Sequence, residues 1–112
     1  MALDSNALVG SMKAAGQNLG GTLWKDMQTY VVPELQKIAT QIIAIEEAML
    51  QNPPPYTQAA AQILLNMQIT ATVGVIVGMT TLTMVAVQSA INSMLAAVKG
   101  VVNTAAKFTL IP

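Results

Sequence analysis

The stretch from Ala48 to Val98 contains no charged residue. Soluble domains have about one charged residue in four, whereas this chain of 112 residues has 9%. Hydrophobic residues make up 54% of it and aromatic residues only 4%, so the apolar content is mostly aliphatic, with eight methionines. A chain this small has few polar side chains with which to cover its surface. We therefore expect a partner or a lipid phase to cover part of it.

The residue types needed for most chemistry are missing. Five lysines balance five acidic residues, and the chain contains no Arg, His or Cys. Nucleic-acid binders normally carry a basic excess. General acid–base, thiol and metal chemistry rely on residue types that are absent or scattered here. The sequence thus predicts no enzyme: no catalytic, cofactor-binding or metal-binding residues, and no specific nucleic-acid binding.

Residues 22–50 show the clearest helical pattern. Apolar residues recur every three or four positions, which is the spacing of a helix-packing seam. Pro33 lies inside this pattern and should kink or restart the helix, because it lacks an N–H group. The predicted packing residues are Trp24, Met27, Val31, Leu35, Ile38, Ile42, Ile45 and Met49.

The N-terminal segment 1–21 is small and polar. Asp4 or Ser5 can cap a short helix, but Gly16, Gly20 and Gly21 follow and weaken it. We therefore expect residues 1–21 to form a flexible arm that orders on assembly.

Three prolines provide the strongest break in the chain. No helix runs through Pro53, Pro54 and Pro55. With Tyr56 they also match the PPxY pattern that WW domains read, although a rigid turn explains them more simply. Thr57 can cap a second helix, and because no proline occurs over 57–107 we expect one long apolar helix there. The sequence thus predicts an all-α fold, a long helical hairpin over 22–112, that forms an oligomer.

The segment 69–87, from Ile69 to Val87, is a candidate transmembrane segment. Its mean hydropathy is about 1.9, which is in the transmembrane range, and as one helix it would span roughly 28 Å. Two alternatives remain open. It could be a buried helix of a soluble oligomer, or, because Val, Ile and Thr alternate in it, a β-hairpin.

Gly74 and Gly78 form a GxxxG motif inside this segment. Two glycines one turn apart let another helix backbone approach closely, so both are predicted helix-packing residues. Farther along, Gln88, Asn92 and Asn103 belong to a polar stripe that would face water if many copies lined a channel.

The order of these features resembles that of small hydrophobic bacteriophage virion proteins. The matching features are an acidic amphipathic helix, the apolar sequence ATVGVIVGMTTLTMVAV, and an end that carries Lys99 and Lys107. Filamentous-phage coat subunits share this order, although they are shorter and have a denser basic tail. Small Ala- and Met-rich proteins used for DNA ejection, and conjugative pilins, are also similar, but pilins place basic residues where this chain has prolines.

The resemblance implies a structural, non-enzymatic subunit of a homo-oligomeric helical assembly. It would be a virion protein, in the virion or a membrane, that contacts lipid or forms a tube or channel for genome delivery, and other virion proteins are possible partners. The alternatives are a soluble helical module whose apolar helix is covered by a partner protein, and a pilin-like filament subunit.

Overall fold

A computed structural model describes residues 3–112 of the chain. Over this range the protein is all-α, as predicted, and no β-strand occurs, so the β-hairpin alternative for 69–87 is wrong. Five helices follow one another: α1 (Ser5–Gln17), α2 (Leu23–Met49), α3 (Gln58–Met79), α4 (Met84–Ala96) and α5 (Lys99–Ala106).

Helix α2 is the central element of the core. It contacts α1, α3 and α5, and its seam from Met27 to Ile45 is buried, while Trp24 and Met49 at the two ends are partly buried. The helix runs continuously through Pro33, which lies on its exposed side. The seam therefore packs within the same chain, and it is not free to pack on a sister subunit.

The N-terminal segment is a packed helix where the sequence suggested an arm. Asp4 caps α1 by accepting a hydrogen bond from the backbone N–H of Asn6. Leu8 and Met12 are buried, and α1 contacts both α2 and α4. Met1 and Ala2, which also belong to the expected arm, lie outside the described residues. The helix remains in place because its apolar side completes the core.

The predicted long second helix is wrong, since three helices occupy residues 58–106. Thr57 caps α3 as expected, accepting a hydrogen bond from the N–H of Ala60. The chain then breaks between Met79 and Met84, and it bends by 58° between α4 and α5. The segment 69–87 therefore contains the end of one helix and the start of another, and it is not a single transmembrane helix.

The C-terminal tail returns to the helices and closes the core. Leu110 and Ile111 are buried. The side chain of Asn103 accepts hydrogen bonds from both of their N–H groups, at 3.0 and 2.9 Å, and donates to the carbonyl of Ile111. Gln62 donates to the carbonyl of Thr109 at 2.6 Å. Asn103 therefore holds the tail and does not belong to an exposed channel-lining stripe.

Candidate association surface

Helix α3 carries no charged residue and has apolar residues on every side, and the rest of the chain covers only one of these sides. A helix of this kind normally lies in a protein core or in a membrane. By length and composition α3 could cross a membrane, yet only 28% of its most apolar window is buried within the protein. Its inner side is covered by α2 and α4, where Leu65, Val73 and Ile76 are buried. The opposite side is uncovered.

We define the outer face of α3 as the exposed residues on this uncovered side. Each of them has another member three or four positions away along the helix, so that together they line one side of it. Ile63 and Met67 are 59% and 63% exposed, and Met79 is 56% exposed. None of its members is charged. The face consists of Ala59, Ile63, Asn66, Met67, Thr70, Ala71, Gly74, Val75, Gly78 and Met79.

The two GxxxG glycines lie on this outer face. A Cβ atom placed on Gly74 or Gly78 would meet no other atom within 4 Å. By contrast, a Cβ on Gly16 would lie 2.6 Å from the indole ring of Trp24. The fold of the chain therefore requires a glycine at position 16, whereas at 74 and 78 nothing within the chain uses the space that the glycines leave open.

A buried polar contact fixes which side of α3 faces the core. Glu34 of α2 is 5% exposed. One of its oxygens accepts a hydrogen bond from Lys37 at 2.8 Å, and the other accepts one from the buried hydroxyl of Thr72, on α3, at 3.5 Å. Because a buried carboxylate is costly without partners, this contact favours the orientation in which the glycines point outward.

A groove runs along the border between α3 and α4. Its cavity volume is about 430 Å³, and residues from both helices line it: Ile69, Thr70, Val73 and Gly74 from α3, and Met84, Gln88 and Asn92 from α4. Gln88 and Asn92 of the predicted polar stripe are exposed there. A neighbouring cavity brings residues 65–69 of α3 together with residues 92–99, whereas this groove joins residues 69–74 to residues 84–92. The order is reversed, so α3 and α4 form an antiparallel hairpin.

The remaining predicted residues lie away from this surface. The structure places Pro53, Pro54 and Pro55 in the exposed connection between α2 and α3.

Among residues 3–112 no group of three His, Cys, Asp or Glu side chains is arranged to hold a metal ion. Glu46 is 1% exposed, and its Oε2 atom has no hydrogen-bond partner.

No protein-family model matches this chain, and neither a curated protein nor a solved structure is similar to it. Its function is therefore inferred from the outer face of α3 and from the sequence.

The GxxxG motif identified Gly74 and Gly78 but not the rest of the outer face. Ile63, Met67 and Ala71 continue the glycine pair at helical spacing, and that spacing was the available signal. The sequence did not reveal that these residues are uncovered, because α3 is equally apolar on its inner side.

Proposed function

We propose that this chain is a non-enzymatic structural subunit of a homo-oligomeric helical assembly, and that copies associate through the outer face of α3. The observation that carries the proposal is the uncovered side of α3, where two glycines lie among exposed apolar residues. In water such a surface favours association, because burying apolar area lowers the free energy.

The chemistry of the outer face favours a second copy as its partner. The face carries no charge, and no charged residue lies anywhere between Glu47 and Lys99. It therefore has no group that could select a charged partner. A second α3 presents the same small and apolar residues, so the two glycine pairs would let the backbones approach closely.

The size of the outer face predicts a weak pairwise association. Helix α3 has 22 residues and is thus about 33 Å long, with a radius of about 5 Å. Its exposed half has an area of roughly 500 Å², so a pair of copies would bury about 1,000 Å², near the lower limit for a specific interface. An assembly in which each copy has several neighbours would be more stable than a single pair.

The resemblance to phage virion proteins extends the proposal. We propose that the assembly belongs to a virion, where it contacts a membrane or forms a tube or channel for genome delivery. This placement is supported by the uncharged segment and by α3, which is long and apolar enough to cross a membrane.

Sedimentation over a concentration series tests the association. We expect the chain to associate with rising concentration, and the double variant Gly74→Leu/Gly78→Leu to remain monomeric, because two bulky side chains would hold the helices apart. Gly10→Leu is the matched control, since Gly10 is an exposed helical glycine with the same open space around it.

Two results would contradict the proposal. In the first, the double variant associates as the unchanged chain does. In the second, the unchanged chain stays monomeric at all concentrations, with and without lipid, which would favour the soluble module that a different protein covers.

A further inference from the structure

The connection between α3 and α4 forms an apolar tip. We define the α3–α4 tip as residues 79–85. Met79, Met84 and Val85 are 56%, 55% and 76% exposed, and Val85 has the highest value among the large exposed hydrophobic residues of the described chain. Because the two helices are antiparallel, the connection between them lies at the end of the hairpin.

Threonine side chains in the tip satisfy backbone groups where the helices stop. The hydroxyl of Thr80 donates to the carbonyl of Ile76 at 2.7 Å and accepts from the N–H of Leu82 at 3.2 Å. The hydroxyl of Thr83 accepts from the N–H of Ala86 at 3.2 Å. Polar backbone groups that enter lipid without a partner cost several kcal/mol each. The tip reduces this cost with its own side chains.

The absence of charge also lowers the cost of placing the tip in lipid. A charged side chain in the hydrocarbon region costs roughly 2.5 to 3.5 kcal/mol or more, and no charged residue occurs between Glu47 and Lys99. Fluid acyl chains can surround the exposed side chains of Met79, Met84 and Val85 without a complementary protein surface.

We infer that the α3–α4 tip inserts into one leaflet of a lipid bilayer. This inference rests on the membrane placement in the proposed function and identifies the element that meets lipid. Gln88 and Ser89 are exposed one turn into α4, so insertion stops about 6 Å from the start of that helix. This is the depth of an interfacial segment and not of a transmembrane helix.

Site-specific labelling tests the inference, since the natural chain contains no cysteine. Val85→Cys is labelled with an environment-sensitive fluorophore and mixed with phosphatidylcholine vesicles. Val101→Cys is the control, because Val101 is 51% exposed on α5, outside the tip. We expect a blue shift at position 85 only, and stronger quenching by shallow than by deep spin-labelled lipids.

A charge variant tests whether the tip causes the binding. We expect Met84→Glu/Val85→Glu to lower vesicle binding at least about tenfold in a flotation assay, since two charges would enter the lipid, and Val101→Glu to leave it unchanged. The inference is overturned if the unchanged chain does not bind vesicles, if both labels respond equally, or if quenching is strongest at the bilayer centre.

The inference and the proposed function can fail separately. Met84 lines the groove beside Gly74 of the outer face, whereas Val85 does not. The single variant Val85→Glu should therefore lose vesicle binding and still associate in sedimentation without lipid. The Gly74→Leu/Gly78→Leu variant should still bind vesicles. If the unchanged chain associates but does not bind vesicles, tip insertion is refuted. If the unchanged chain binds vesicles but does not associate, the proposed assembly is refuted.

Discussion

Replacing Gly74 by alanine should have opposite effects on folding and on association. Gly74 lies in the interior of α3, and a Cβ atom there would meet no other atom within 4 Å. Alanine therefore introduces no clash within one chain, and it should raise the free energy of unfolding by the difference in helix propensity, about 1 kcal/mol. For a domain of this size the melting temperature should rise by about 4 °C.

The same methyl group should weaken the contact between two copies. Close backbone approach at a glycine pair depends on the missing Cβ, so we expect the dissociation constant of the assembly to rise about tenfold, which corresponds to about 1.4 kcal/mol. Thermal unfolding at low concentration and sedimentation at high concentration measure the two effects separately. Gly10→Ala should raise the melting temperature similarly without changing association, because Gly10 is also open but lies on α1.

Either of two results would refute this reasoning. A lower melting temperature for Gly74→Ala would mean that the outer face of α3 is covered within the chain. A higher melting temperature with unchanged association would mean that copies do not meet at this glycine.

Three further substitutions test the packing within one chain. Gly16→Ala should lower the free energy of unfolding by roughly 1 to 3 kcal/mol, because its Cβ would lie 2.6 Å from the Trp24 ring; an unchanged denaturant midpoint would contradict this. Asn103→Ala should destabilise the chain by roughly 2 kcal/mol, since it removes the partners of three tail backbone groups. Asn92→Ala, at an exposed position, should change the free energy of unfolding little. If Asn92→Ala and Asn103→Ala lower it equally in chemical denaturation, the role of Asn103 is refuted. Glu46→Met should raise the melting temperature, because it removes a buried carboxylate oxygen without a partner; a decrease would show that the carboxylate is needed.

The sequence by itself determined the elements that depend on local patterns. The three-four spacing of α2 identified its buried side, because a helix turns by 100° per residue and aligns such positions. Asp4 and Thr57 cap their helices as predicted, since an oxygen-bearing side chain at that position meets an unpaired N–H group. The consecutive prolines lie in the connection between α2 and α3 for a similarly local reason, the missing N–H group.

Only the tertiary structure decided which apolar surfaces are covered. Gly16 and Gly74 are both helical glycines, yet one packs against Trp24 and the other faces outward. The break between Met79 and Met84 contains neither glycine nor proline. It allows α4 to fold back along α3 and meet α1, and this buries the apolar side of α4. Such contacts join residues far apart in the chain, as Gln62 and Thr109 do, and no local pattern encodes them.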